Sequence, residues 1–221
     1  GSALSCVEIL VVLYWKILKR NDIFIFSKAS GASALYSVLA EKGYFKKEKL
    51  AYYLKNYPLA STEVPGVVHS VGSLGHGLPV AVGMALANRK RKVYCLISDA
   101  ELQEGTTWEC ALFAAHHGLD NLRIIVDYNK IQACGFTNKI LNLESLVNKW
   151  ASFNWVPIQD DGHDLMKTEW ALEIPLQKGH PTIIICHTIK GKGVSFCEGD
   201  YSWHYRNIDD EKLLELALNN L

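Results

Sequence analysis

Two short, nearly continuous apolar runs lie in the middle of the chain, with a helix-like pattern between them. Val93–Ser98 and Arg123–Tyr128 are mostly apolar without alternation, which predicts strands buried on both faces of a parallel sheet. Gln103–His117 repeats apolar residues at helical spacing and predicts a helix. Its inward face is expected to contain Trp108, Leu112 and Ala115. A strand, helix and strand in this order form a right-handed unit, so both strands end at the same edge of the sheet.

The same patterns predict further elements along the chain. Three more strands are expected, at Asp22–Ser27, Trp155–Gln159 and Pro181–His187. More helices are expected within Gly1–Arg20, between Ser27 and Phe45, from the glycine-rich turn Gly72–Gly83, within Leu143–Phe153, after Asp164 and within Asp209–Leu221. Ser5 and Glu8 are expected to form a capping box on the first helix, and Asp164 to cap a later one. We predict one α/β domain over residues 1–221, with a parallel sheet and helices on both faces.

Polar residues follow the two central strands. Asp99 comes after the first strand and Asn129 after the second, so both are expected at the edge where open α/β sheets bind ligands. Oxygen ligands in small number suit Mg²⁺, and a helix N-terminus next to Asp99 would suit phosphate. The pair therefore indicates a metal-bridged diphosphate. Alternatively, Asp99 only caps the helix and Asn129 only forms a turn.

Composition limits the other possibilities. The 221 residues carry 23 basic and 23 acidic side chains, so no general attraction to nucleic acid or an anionic membrane is expected. The six cysteines are scattered without a CxxC pair, which favours a reduced, cytoplasmic protein. The longest apolar run, Val7–Trp15, is too short to span a bilayer, and no signal peptide is recognised.

The residues around Asp99 and Asn129 resemble a known motif. The chain reads DAELQEG, then WE, then LDNL, then DYNKIQACG, which resembles the thiamine-diphosphate signature of transketolases. The resemblance is strongest to the amino-terminal half-chains of split, two-gene transketolases. It implies a diphosphate-binding (PP-type) domain in which the Asp99 and Asn129 side chains and the Ile131 carbonyl hold Mg²⁺, or Ca²⁺ or Mn²⁺, on the diphosphate.

The resemblance also assigns other residues to the cofactor. GSLGHG matches the family's cofactor-lining turn, which places Gly72, Leu74 and His76 near the thiazolium and diphosphate. Ala100 and Glu101 follow Asp99 in the motif and are assigned to the same site. Ala100 replaces a glycine whose N–H contacts the diphosphate, and alanine can donate in the same way only if its φ is negative. Alternatively, His76 is only a histidine at a helix start.

Catalytic roles follow from the same resemblance. His76, His204 and Glu104 are the expected catalytic residues. In the family, Glu104 and Glu109 match acidic residues that link two active sites across a dimer; alternatively, both are solvated helix residues. Two family histidines are absent, since Ser30 and Leu59 occupy their positions. These departures concern the substrate more than the fold.

Two polar stretches in the second half leave alternatives open. Asp161, His163 and Asp164 belong to a D-G-H-D sequence that is mostly architectural in the family, and a metal site is the alternative. Lys190 and Lys192 lie in a glycine-bearing loop and are expected either to meet a sugar phosphate or to be solvated.

The predicted function is that of an amino-terminal transketolase subunit. It would transfer a two-carbon ketol unit between sugar phosphates with thiamine diphosphate. It would require a partner chain carrying the pyrimidine-binding domain, in an α2β2 assembly. One alternative is a specialised acyl or ketol transferase acting on a nucleotide-activated sugar or a natural-product scaffold. Another is a non-catalytic homologue, with a regulatory or structural role.

Overall fold

A five-stranded parallel sheet forms the centre of the computed structural model, which describes residues 1–206 and 208–219. In chain order, the strands are β1 (Ile23–Phe26), β2 (Val93–Ser98), β3 (Leu122–Tyr128), β4 (Ile131–Gln132), β5 (Gly135–Phe136), β6 (Val156–Asp161) and β7 (Thr182–His187). Two of them, β4 and β5, lie outside the five-stranded sheet. The order in the sheet is β1-β2-β3-β7-β6, and every neighbouring pair is parallel. Strands β4 and β5 form a separate antiparallel pair directly after β3.

Helices cover both faces of this sheet. They are α1 (Val7–Val12), α2 (Ala32–Glu41), α3 (Leu50–Asn56), α4 (Gly77–Ala87), α5 (Gly105–His116), α6 (Thr137–Ile140), α7 (Leu146–Ser152), α8 (Leu165–Glu173) and α9 (Glu211–Leu218). Helix α1 continues as a π-helical turn over Leu13–Ile17. Helices α1, α2 and α8 cover one face, and α4, α5 and α7 cover the other. The predicted α/β class with helices on both faces is therefore confirmed.

The central strands are apolar throughout because each side of them meets a different helical layer. In β3, Ile125 packs into the layer of α1 and α2, whereas Ile124 and Val126 pack into the layer of α4 and α5. Ile184 and Ile185 of β7 divide in the same way. Burial on both faces explains the absence of alternation in the sequence.

The predicted inward face of the α5 helix is wrong at one position. Leu112 is 61% exposed, while Cys110, Ala111 and Ala114 are buried. Trp108 and Ala115 are only partly buried against the same core. Small residues therefore occupy the side of α5 that packs most closely, and the larger leucine points outward.

The predicted capping box at the start of α1 is also wrong. Ser5 makes no cap, because its hydroxyl donates to Asp127 Oδ2 at 2.6 Å and to the Ser2 carbonyl at 3.2 Å. Glu8 instead places Oε1 3.2 Å from His163 Nδ1. Tertiary partners have replaced the local cap. The predicted Asp164 cap is confirmed, since Asp164 accepts from the Met166 and Lys167 amides at 3.0 and 3.1 Å.

Two expectations about the chain as a whole can be compared with the structure. The predicted closing helix is present as α9, and the last two residues of the predicted range lie outside the described residues. Within residues 1–206 and 208–219, no helix has the length and apolar character needed to cross a membrane.

Candidate active site

A cleft of about 400 Å³ opens at the carboxyl edge of β1, β2 and β3. The glycine-rich turn before α4, the turns after these three strands and the segments that contain Lys190 and His204 supply its walls. The sequence-predicted residues that line it are Gly72, Leu74, Asp99, Ala100, Asn129, Ile131 and His204. The fold thus brings together residues that are up to 132 positions apart, from Gly72 to His204.

The predicted metal ligands lie around this cleft and are held by neighbouring groups. Asp99 is buried, and its Oδ2 accepts a hydrogen bond from Thr137 Oγ1 at 3.0 Å. Asn129 Oδ1 accepts from the Ile131 amide at 3.1 Å, which closes a tight turn. Lys130, between them, adopts a left-handed φ of 65°. Both Asn129 and Ile131 line the cleft, and the Ile131 carbonyl accepts a hydrogen bond from Lys190 Nζ at 3.2 Å.

Burial perturbs the Asp99 carboxyl strongly. Its pKa is raised to about 6, first because burial removes water from the carboxylate and then because Asp127 lies nearby. A positive charge next to Asp99 would offset both effects and favour the ionised carboxylate.

The surroundings of Asp99 correct one detail of the phosphate hypothesis. Asp99 precedes a 3₁₀ turn at Ala100–Gln103 and makes no side-chain cap. Helix α5 begins only at Gly105, so its N-terminus does not lie directly next to Asp99 as expected. The 3₁₀ turn begins with Ala100, and the left-handed φ values among the described non-glycine residues belong to Lys130 and Asn154. Ala100 thus meets the backbone condition that the sequence left open.

A buried ion pair beneath the cleft was not predicted. Lys28 is 3% exposed and Asp127 is fully buried, and their charged atoms are in direct contact. Lys28 Nζ also donates to Ser5 Oγ at 2.9 Å, and Thr188 donates to Asp127. Burial alone would lower the Lys28 pKa and raise that of Asp127, but each charge outweighs this for the other, so the Lys28 pKa is raised and that of Asp127 is lowered.

Lys190 is a second buried cation, and the solvated alternative is wrong for it. The residue is 1% exposed, and Nζ donates to the Ile131 carbonyl at 3.2 Å and to His204 Nδ1 at 2.7 Å. Burial, and then repulsion from Lys28, lowers the Lys190 pKa to about 8. Lys192 is partly exposed instead and lies 3.7 Å from Glu198. The loop therefore sends one lysine inward and leaves the other at the surface.

His204 is held as a neutral hydrogen-bonding group. Burial, and then the charges of Lys190 and Lys28, lowers its pKa to about 4. Because Nδ1 accepts from the Lys190 ammonium, the ring proton lies on Nε2. His204 also lines the cleft.

Glu101 lies beneath the cleft rather than in its lining. The residue is fully buried, and its carboxylate accepts from Ser27 Oγ, from the Gly75 amide at 3.2 Å and from the Ser98 amide at 2.9 Å. Ser27 directly follows β1, Gly75 lies in the glycine-rich turn and Ser98 is the last residue of β2. Burial raises the Glu101 pKa, and the hydrogen bonds oppose that rise. Glu101 thus connects these three segments, and its predicted contact with a cofactor stays a prediction.

Two predicted catalytic residues lie outside the cleft lining. His76 is exposed at the start of α4, and Glu104 is half-buried just before α5. Glu109 is exposed on α5. Ser30 and Leu59, which replace two family histidines, do line the cleft. The roles assigned to His76, Glu104 and Glu109 stay predictions.

The alternative metal site in the D-G-H-D sequence is not supported. In the part of the chain that the structure describes, no three His, Cys, Asp or Glu side chains are grouped to hold a metal ion. Asp164 caps α8, and the Asp161 carboxylate accepts from the His163 amide at 3.3 Å. Within the D-G-H-D sequence, Asp164 has the expected architectural role as the cap of α8.

Sequence reasoning missed Lys28 and Thr137 as parts of the site and left Lys190 undecided. Thr137 follows β5, and nothing in its local sequence indicates that its hydroxyl meets Asp99. Lys28 and Lys190 offered a signal, because each closely follows the end of a predicted strand. A lysine at a carboxyl edge can reach a ligand site, but only packing decides whether it turns inward.

The fold and the cleft together define a cofactor-binding α/β domain with a diphosphate-type site. The chain belongs to the transketolase family, since residues 1–217 match the family described as "Transketolase, thiamine diphosphate binding domain". It is 42% identical over 240 residues to an apulose-4-phosphate transketolase subunit from Actinobacillus succinogenes, covering 100% of this chain and 86% of that protein. It is 37% identical over 230 residues to the 6-deoxy-6-sulfo-D-fructose transketolase subunit SqwG of a Clostridium species, covering 96% and 84%.

Solved structures give the same result for the fold. The transketolase of Campylobacter jejuni matches with a TM-score of 0.89 and 30% identity over 99% of this chain. That of Leishmania mexicana matches with a TM-score of 0.90 and 25% identity over 100% of this chain. The chain spans only 38% and 37% of those two solved chains. The expected class, the amino-terminal subunit of a split transketolase-like enzyme that binds thiamine diphosphate, is confirmed.

Proposed function

We propose that the cleft binds thiamine diphosphate together with Mg²⁺, with the Asp99 carboxylate, the Asn129 amide oxygen and the Ile131 carbonyl as the protein's metal ligands. The observation that carries this proposal is that all three residues line one cleft although they come from two different turns. Hard oxygen donors in this number leave room for phosphate oxygens and water, as Mg²⁺ prefers. The raised pKa of Asp99 supports the same assignment, because a bound cation would stabilise the carboxylate.

The diphosphate also requires positive charge on the protein. Lys28 and Lys190 both border the cleft and are both buried. Lys28 is already paired with Asp127, but the pKa of Lys190 is lowered, so its charge lacks full compensation. We assign Lys190 to the diphosphate side of the site, where an anion would offset its burial.

The proposed reaction is transfer of a two-carbon ketol unit between sugar phosphates. Thiamine diphosphate supplies a nucleophilic thiazolium carbon that adds to a carbonyl and stabilises negative charge on the neighbouring carbon. In this chain, His204 lines the cleft and keeps its ring proton on Nε2, so we assign it to orienting a hydroxyl or phosphate oxygen of the sugar. Ser30 can donate and accept a hydrogen bond at the cleft but does not titrate near neutral pH.

The chain is proposed to act with a partner. Two relatives are named as subunits, which supports a separate chain that carries the pyrimidine-binding domain, in an α2β2 assembly. We further propose that residues 1–221 form a single PP-type domain, because one sheet carries every predicted metal ligand and cofactor contact at or beside its carboxyl edge. The free state of all six cysteines is the basis for proposing a cytoplasmic location.

A specialised substrate is the second candidate, and the residues Ser30 and Leu59 favour it. Both line the cleft at positions where the family has histidines, so the sugar meets a hydroxyl and an apolar side chain instead. The names of two relatives specify unusual sugars, apulose-4-phosphate and 6-deoxy-6-sulfo-D-fructose. These compounds are the first donors to test with the partner present, and consumption of a standard ketose phosphate alone would contradict the specialised assignment.

The metal and cofactor assignment is tested by calorimetry. Thiamine diphosphate with Mg²⁺ is titrated into the complex of this chain with its partner subunit, and saturable binding is expected. Asp99→Ala should weaken binding by at least about a hundredfold, because a charged metal ligand is lost. Glu173→Ala, an exposed acidic residue on α8, is the matched control and should bind as the wild type does.

Absence of binding in a well-assembled wild-type complex would refute the proposal. The chain would then be a non-catalytic homologue with a regulatory or structural role. Equal binding by the Asp99→Ala variant would instead refute the metal-ligand assignment and leave cofactor binding intact.

A further inference from the structure

The short segment Thr188–Lys190, which follows β7, connects the sheet edge to the polar groups beneath the cleft. Thr188 donates to the buried carboxylate of Asp127, and Lys190 places its ammonium on the Ile131 carbonyl. The position of this segment therefore decides where the buried Lys190 charge lies. Its middle residue, Ile189, has a partly exposed side chain that cannot anchor the segment by packing alone.

The backbone of Ile189 is held from outside the cleft by a histidine. The Ile189 amide donates to His163 Nε2 at 2.8 Å. His163 belongs to the turn between β6 and α8, and its side chain is only 12% exposed. A ring nitrogen that accepts a hydrogen bond carries no proton, so in the neutral imidazole the proton must lie on Nδ1.

The other side of the same ring faces a carboxylate. His163 Nδ1 lies 3.2 Å from Glu8 Oε1 on α1, and Glu8 is 25% exposed. The two atoms lie within ion-pair distance but do not form a hydrogen bond. The carboxylate therefore acts through its negative charge, which favours a proton on Nδ1 and leaves Nε2 free to accept. Glu8 thus favours the ring state that Ile189 requires, and three separate elements meet at one imidazole.

We propose that His163, with the Glu8 carboxylate beside its Nδ1, is a positioning residue that fixes the Ile189 backbone and thereby sets Lys190 in the cofactor site. The residue touches neither the cleft nor the predicted metal ligands, so it acts only through the segment Thr188–Lys190. The cofactor consequence rests on the proposed function, whereas the anchoring of Ile189 does not.

Two amide variants separate this role from simple packing. In His163→Gln the side-chain amide reaches the position of Nε2 and can still accept from Ile189, whereas in His163→Asn it reaches only the position of Nδ1. Amide hydrogen exchange at Ile189 is measured on the complex with the partner subunit, without cofactor. We expect exchange about tenfold faster in His163→Asn and close to wild type in His163→Gln, as loss of one hydrogen bond predicts.

Cofactor binding is the second readout. The Kd for thiamine diphosphate with Mg²⁺ should rise roughly tenfold in His163→Asn, while kcat at saturating cofactor should stay within about twofold of wild type, because a displaced Lys190 costs about one hydrogen bond in cofactor binding. His163→Gln should restore the Kd. If His163→Asn does not fold, His163→Met takes its place, since methionine fills similar volume without a strong acceptor.

The outcomes are distinct. If the Ile189 amide exchanges at the same rate in all variants, the proposal is overturned. It is also overturned if exchange accelerates equally in the Gln and Asn variants, because the Nε2 acceptor would then not be the anchor. Faster exchange without any change in Kd would overturn the link to the cofactor site. If the wild type binds no cofactor, the proposed function fails and the link to the site fails with it, while the exchange data still decide whether His163 anchors Ile189.

Discussion

Two lysines lie buried beside the cleft in different electrostatic surroundings. Lys28 contacts Asp127 directly, and its pKa is raised. Lys190 donates to neutral acceptors, the Ile131 carbonyl and His204, and its pKa is lowered to about 8. The first lysine therefore stabilises the apoprotein, and the second remains available to an anionic ligand. Their shared feature in the sequence, a position just after a strand, does not distinguish these roles.

The Lys28–Asp127 pair gives a prediction at the residue scale. Lys28→Met should lower the free energy of unfolding by about 3–5 kcal/mol, because it leaves the Asp127 carboxylate buried without its counter-charge. The double variant Lys28→Met with Asp127→Asn should recover part of that loss, since no unpaired charge remains. Urea unfolding of the apoprotein measures the free energy of unfolding of each single variant, Lys28→Met and Asp127→Asn, and of the double variant. A double variant that is destabilised by the sum of the two single changes would show that the pair is not coupled.

At the scale of elements, local signals predicted helix α8 better than helix α1. Asp164 caps α8 as expected, because its carboxylate has the first-turn amides as its nearest donors. Ser5 was an equally plausible cap in the sequence, but the buried Asp127 accepts its hydroxyl instead. The strand positions followed from continuous apolar runs, and β2 matches its predicted bounds at Val93–Ser98. A local preference is therefore realised only where no stronger tertiary partner competes.

The α8 cap gives a matched pair of variants. Asp164→Ala should lower the free energy of unfolding by about 1 kcal/mol, because two first-turn amides lose their acceptor. Asp164→Asn should cost only a few tenths of that, since asparagine still accepts and the ion pair with Lys167 is exposed. Thermal or urea unfolding compares the two variants. Equal losses would mean that the charge of Asp164, and not the cap, stabilises the helix.

At the scale of the whole molecule, the cleft is assembled from turns that follow three strands, from the glycine-rich turn and from the segments that contain Lys190 and His204. A ligand that bridges these turns should stabilise the complete fold. At a cofactor concentration a hundred times its Kd, the gain is about 2.7 kcal/mol. For a domain of this size, that corresponds to a rise in Tm of about 5–10 °C.

Metal removal provides the control for this prediction. Addition of a chelator in the presence of thiamine diphosphate should return the Tm to the value of the apoprotein, because the proposed Mg²⁺ joins the diphosphate to Asp99 and Asn129. Differential scanning calorimetry on the complex with the partner subunit measures the change. A Tm rise that survives the chelator would show that the diphosphate is held by the lysines alone.

The sequence by itself determined the α/β class, the five strands of the main sheet, the family and the approximate site, but not the β4–β5 pair. Apolar runs reflect burial on both sheet faces, and the right-handed crossover places Asp99 and Asn129 at one edge, so these features depend on local pattern and chain topology. Only the tertiary structure decided that Lys190 turns inward, that Ser5 meets Asp127 and that Glu101 joins the ends of β1 and β2 to the glycine-rich turn. The physical reason is that a buried polar group takes whichever partner the packed layers bring within hydrogen-bonding distance, and that partner can be more than a hundred residues away in the chain.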